Sequence, residues 1–183
     1  MGLGNPGLRY RRTRHNVGFD VVDTVAQRHG LALGRRRFNS RLGEGPIGRE
    51  RVVLLEPHTY MNLSGSAVGA AVHFYQVELA SLLVVLDEFQ LELGRTRLRR
   101  EGSAGGHKGL ASVIRALGTE EFPRLRLGTG PTPEGQDPMR FVLTRFRRDE
   151  QGTAREMIER AATAVETWVY LGIEEAMNRF NSQ

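Results

Sequence analysis

Apolar positions along this chain follow two periods, one of about 3.6 residues and one of 2, in alternating blocks. Phe19, Val22 and Ala26 fall on one helical face behind Asn16, a residue type that caps helix starts, and Gly30 supplies a stop. Residues 42–47 and 51–55 read as two strands about a turn, with Pro57 breaking the second. Residues 61–64 then lead into a helix of small residues through Ala67, Ala70, Ala71 and Phe74. The run Leu82-Leu83-Val84-Val85-Leu86 predicts a buried strand, being too short for a core helix. Residues 96–100 alternate basic with other residues, as an edge or half-exposed strand does. A glycine-rich loop at 102–106, a helix over 110–117 and a strand at 125–127 follow, the last ended by Gly128 and Gly130. Residues 131–138 form a Pro/Gly loop, and 155–180 carry a helical pattern broken near Gly172. Strands alternating with helices predict an α/β chain: one domain over 1–183, three layers deep, with a twisted mixed β-sheet flanked by helices. Sites in such folds form at the carboxyl ends of strands. Asp87, closing the 82–86 run, and the loop after Gly128 are therefore the places to look.

Composition narrows the chemistry. With 183 residues, 39% of them hydrophobic, the chain buries a real core. No apolar run approaches the ~20 residues of a membrane span, and no charged stretch precedes an apolar one at the start as in a signal peptide. The absence of cysteine removes disulfides and thiolate chemistry and points to a cytoplasmic protein. The net charge is +5, and Lys108 is the one lysine among 26 basic residues. A basic, arginine-rich surface attracts polyanions, and guanidinium grips phosphate bidentately. Nucleic acid is the partner class this favours.

Three residues then stand out as one acid–base unit: Asn5 in a glycine-rich loop, His15 at a helix start, and Asp87. A carboxylate holds an imidazole in one tautomer, so that its other nitrogen accepts a proton from water. Gly2-Leu3-Gly4-Asn5-Pro6-Gly7 matches the dinucleotide fingerprint formally. However, Met1 leaves almost no strand before it, and Pro6 with residues 8–12 opens no apolar helix. The glycines instead let backbone approach a ligand while Asn5 presents its amide. Of the other histidines, His29 sits at a helix end and His73 on a helix, both suited to structural or surface roles; His58 and His107 lie in loops, their roles open. Arg97 and Arg99 share a strand face with Arg95, with Lys108 and Arg115 nearby; Arg140, Arg145, Arg147 and Arg148 form a second group. Such a stripe either guards an edge or tracks phosphates.

Taken in order, several segments resemble the bacterial-type peptidyl-tRNA hydrolase family. They are residues 2–7, Tyr10, Thr13-Arg14-His15-Asn16-Val17-Gly18-Phe19, Pro57-His58-Thr59-Tyr60-Met61-Asn62-Leu63-Ser64-Gly65, Asp87-Glu88, residues 102–110 and Leu117-Gly118-Thr119 with Phe122 and residues 124–126. The resemblance implies a monomeric esterase without metal, cofactor or membrane. Its substrate is peptidyl-tRNA, met at the acceptor stem and 3′ end. By position His15 matches the general base, Asp87 its orienting partner, and Asn5 the amide that senses the blocked amino end. Tyr10, Tyr60, Met61 and Asn62 match contacts to the tRNA end or peptide; Lys108, where the family usually has asparagine, and Arg97 and Arg99 fall to tRNA phosphates. Glu56 stands where lysine is common and Glu92 where proline is. Two rivals remain: a non-catalytic RNA-binding relative acting as a splicing or RNA cofactor, which has no need of a base with an orienting acid, and a small-molecule esterase, which gains nothing from the arginines.

Overall fold

The structure is a computed structural model, and residues 1–181 are described. The helices are α1 (Val17–Arg28), α2 (Ser64–Tyr75), α3 (Lys108–Leu117), α4 (Pro138–Phe141) and α5 (Gln151–Phe180); the strands are β1 (Arg35–Arg37), β2 (Ser40–Ile47), β3 (Glu50–Pro57), β4 (Val84–Glu92), β5 (Thr96–Arg99) and β6 (Arg124–Gly130). The chain forms a mixed α/β fold with two small sheets. One has the order β1-β2-β3 and is antiparallel; in the other, order β4-β6-β5, β6 runs parallel to β4 and antiparallel to β5. Residues 1–3 stitch the sheets together. Gly2 N–H donates to the Leu55 carbonyl of β3 at 3.0 Å, and Leu3 N–H to the Val85 carbonyl of β4 at 2.9 Å. Residues 1–3 are thus hydrogen-bonded to both sheets.

Strand β4 shows why helices cover both faces. Leu83 and the first three residues of β4, Val84–Leu86, are all apolar and buried, without alternation of polarity, as a central parallel strand requires. Leu83 and Val85 pack with Val21, Val22 and Val25 of α1 and with Met157, Ala161 and Val165 of α5. Val84 and Leu86 pack with Val68 and Ala71 of α2 and with Leu110 and Val113 of α3. Two cores therefore sandwich the strands. Helix α1 sits unusually close: a Cβ on Gly18 would lie 2.5 Å from the Val85 carbonyl oxygen and 2.6 Å from Leu3 N. Glycine at that position lets the start of α1, with His15 just ahead of it, press onto β4.

The predicted helices and strands all occur, most extended by a few residues. Two elements have no counterpart in the pattern: β1, three exposed arginines, and the short α4, which is opened by the Asp137 side chain accepting from Met139 N–H. The break in the last helix falls at Gly172, whose φ of 81° lies outside helical space.

Candidate active site

Asn16 occupies the N-cap position of α1 but its side chain makes no capping bond. The expectation of a capping Asn is corrected here, because its carboxamide is engaged elsewhere. Asn16 Oδ1 accepts from Asn5 N–H and Asn16 Nδ2 donates to the Asn5 carbonyl, both at 3.0 Å. One side chain thereby satisfies both backbone groups of Asn5 and fixes the loop against the helix start. The Asn5 side chain, itself buried, accepts from Met61 N–H through Oδ1 at 2.9 Å. With the oxygen occupied, its Nδ2 is what remains to meet a ligand, as a donor.

His15 lies on a 3-10 turn (Arg14–Asn16), and its N–H donates to the Val142 carbonyl at 2.8 Å. Its Nδ1 stands 2.8 Å from Asp87 Oδ1. Asp87, the fourth residue of β4, is 2% exposed. His107 reaches the same oxygen, with Nε2 at 3.0 Å. The network assigns the protons. His107 caps α3 by accepting Leu110 N–H at Nδ1, 3.1 Å away, so its Nε2 carries hydrogen and donates to Asp87. His15 then donates Nδ1–H to the same carboxylate, leaving Nε2 as a lone-pair acceptor. Burial alone would raise the Asp87 pKa, but His15 and His107 outweigh it and hold the carboxyl far below its ordinary range. Sequence reading left His107 open. Its signal was its place directly after Gly105-Gly106 and ahead of an apolar helix, where an N-cap belongs.

His15, Asp87 and His107 offer three ligand atoms within 4.8 Å of one another. A metal on His107 Nε2 would put the proton on Nδ1, facing the Leu110 N–H donor, and would uncap α3. The arrangement suits a shared proton acceptor better than a cation.

The remaining sequence candidates distribute around this trio. Met61 is buried against it: a Cβ added to Gly109 would lie 2.3 Å from Met61 Sδ and 3.0 Å from His107 Cε1. Tyr60 and Asn62 flank Met61 and are exposed. Lys108 opens α3 and is exposed beside His107. Tyr10 ends a separate 3-10 turn (Leu8–Tyr10); its hydroxyl bonds to Arg9, whose guanidinium stacks on the ring. Arg97 and Arg99 are not in the trio's immediate surroundings. Both are exposed on β5 and line, with Arg126, a polar groove of about 480 Å³ that reaches Glu88, the neighbour of Asp87. Arg126 is paired with Glu88 at 2.7 Å. Among the described residues no helix is long and apolar enough to cross a membrane.

Known proteins resemble the chain over nearly its whole length. The family model described as peptidyl-tRNA hydrolase matches residues 1–183. A peptidyl-tRNA hydrolase of Chloroflexus aurantiacus is 50% identical over 182 residues, covering 99% of this chain and 97% of the relative. One from Caldanaerobacter subterraneus subsp. tengcongensis is 49% identical over 180 residues, covering 98% and 97%. The crystal structure of peptidyl-tRNA hydrolase from Acinetobacter baumannii superposes with a TM-score of 0.93 at 36% identity, covering 99% of this chain and 92% of the other. The reading as a non-catalytic RNA-binding relative finds no support among these matches.

Proposed function

The chain belongs to the peptidyl-tRNA hydrolase family, and on that premise we propose how its residues divide the work of cleaving the ester between a peptide and the 3′ ribose of tRNA. His15 Nε2 takes a proton from water, which attacks the ester carbonyl. Asp87 holds the ring in the working tautomer and stabilises the imidazolium that forms; His107 holds Asp87. The imidazolium then returns its proton to the departing 3′ oxygen, so no covalent nucleophile is needed. The observation that carries this reading is the 2.8 Å contact of His15 Nδ1 with a buried carboxylate, which leaves Nε2 unengaged.

The bond from Met61 to Asn5 Oδ1 supports a selectivity role for Asn5. A blocked amino end carries an acyl oxygen that accepts from Asn5 Nδ2–H, whereas a free ammonium offers donors alone and meets a donor. Tyr10, Tyr60, Met61 and Asn62 contact the tRNA end or the peptide. Arg97, Arg99 and Lys108 take phosphates, which position the ester without reading sequence. The enzyme works as a monomer in the cytoplasm, a single domain with no metal or cofactor.

The test is His15→Ala. Cleavage of an N-blocked aminoacyl-tRNA falls by about 10²–10⁴-fold, the range for a positioned acid–base group, while tRNA affinity in a filter-binding assay stays near wild type. Retained cleavage, or equal loss of both properties, overturns the assignment.

A further inference from the structure

Arg14 precedes His15, is 2% exposed, and touches four separate parts of the chain. Its guanidinium contacts the rings of Phe141 and Phe146, 4.4 and 4.7 Å from their centroids. Nη1 donates to the Thr129 carbonyl near the end of β6 at 3.0 Å, and Nη2 to the Glu150 carboxylate just ahead of α5 at 2.5 Å. Its Nε is buried without a partner. Burying a guanidinium with one donor unmet is a poor way to gain stability, because desolvation of the charge opposes it. Each of the four partners, however, is held by the side chain of the residue directly before His15.

The backbone makes the connection to His15 explicit. Arg14 N–H donates to the Thr144 carbonyl at 2.9 Å, His15 N–H donates to the Val142 carbonyl at 2.8 Å, and Thr13 and Arg145 form an antiparallel bridge. Residues 142–145 are thus a strap laid along residues 13–15. Phe141 and Phe146, which flank that strap in sequence, both place their rings on the Arg14 guanidinium. Beyond the strap, residues 131–137 are mostly exposed, whereas Phe141 and Val142 are buried and Phe146 packs on the core.

We propose that Arg14 is a positioning residue for the hydrolysis: by clamping residues 141–150 against the 3-10 turn, it sets where the His15 imidazole stands between Asp87 and the ester. The proposal rests on the reading of His15 as the base. A misplacement of about 1 Å far from the chemistry can cost ~10²-fold in rate, so the clamp need not touch substrate to matter.

Arg14→Lys and Glu150→Gln test it. Lysine keeps a cation for Thr129 and Glu150 but cannot stack flat on two rings; glutamine keeps the stack and removes the ion pair. Both variants are checked for folding by denaturant titration, and rates are normalised to folded protein. On an N-blocked aminoacyl-tRNA, kcat falls about 10- to 100-fold for Arg14→Lys and less for Glu150→Gln, with KM nearly unchanged. The imidazole ¹⁵N and Nδ1–H signals of His15 shift in the free enzyme, and the pH profile of kcat moves with them. Wild-type kcat per folded molecule with unmoved His15 signals overturns the clamp, as does a loss confined to KM. The ring signals are read without substrate. A failure of His15 as base therefore shows separately, as activity retained in His15→Ala.

Discussion

Asn5 commits its side-chain oxygen to Met61 N–H, and this turns an ambivalent carboxamide into a one-way donor. Asn5→Asp isolates the effect: one carboxylate oxygen still accepts from Met61, but the other repels an acyl oxygen and attracts an ammonium. The expected outcome is a drop of about 10²–10³-fold in kcat/KM on N-acetyl-aminoacyl-tRNA, the scale of losing one well-placed donor, with a narrower preference over the free-amine form. Parallel rate measurements on both substrates check it. At this scale the sequence was informative where residue type dictates chemistry. An imidazole at a helix start, a carboxylate after an apolar run and an amide in a glycine loop named His15, Asp87 and Asn5; the fold pairs the first two and ties Asn5 to Asn16, the neighbour of His15. The link that Asn16 provides was hidden, since an Asn ahead of a helix reads as a cap whatever its side chain does. His107 carries a local signal for its N-cap place, but its contact to Asp87 spans 20 positions and leaves no local pattern.

Strand β3 carries an acidic residue into the interior. Glu56 is fully buried, and its Oε1 has no partner. Burial, reinforced by Asp23, raises its pKa from an ordinary 4.5 to about 8, although Arg41 sits 2.9 Å from Oε2 and opposes the shift. The unfolded chain loses this proton near pH 4.5 while the folded chain keeps it, so Glu56 draws stability down as pH rises from about 4.5 to 8, and the loss levels off above that. Glu56→Gln is expected to raise the thermal midpoint at neutral pH and to flatten its decline across that window, as followed by circular dichroism at several pH values. The pattern of apolar positions marked β3 correctly but could not mark Glu56 as buried, because burial of a charge is decided by neighbours distant in sequence. The same reason hid β1, where three arginines have no alternation to read, and α4, which is only four residues long. Where the period was strong, as in α1 or α2, the elements were legible to within a few residues; β4 instead runs on to Glu92, past the apolar run that ends at Leu86, which puts Asp87 inside the strand and not at its end.

The whole molecule is a basic body of net charge +5, and its fold class followed from the alternation of strands and helices. The two-sheet arrangement did not, because residues 1–3 join β3 to β4 through backbone bonds that no side-chain pattern announces. With Arg97 and Arg99 exposed on β5, kcat/KM for peptidyl-tRNA is expected to fall steeply and linearly in log–log form with salt. Reversing both charges, Arg97→Glu with Arg99→Glu, should flatten that slope; a salt titration of wild type and variant reads it directly. The carboxylate that accepts from both His15 and His107 sets a condition on this attraction. When both rings are neutral, the trio amounts to one buried anion, and in the proposed mechanism it repels the approaching ribose–phosphate terminus. Long-range pull from the periphery must therefore deliver the RNA against a locally hostile potential. In the proposed mechanism, once water has surrendered its proton the trio becomes electrically neutral and the anionic charge passes to the attacked carbon's oxygens, so the site's own polarity relaxes in step with the bond that forms.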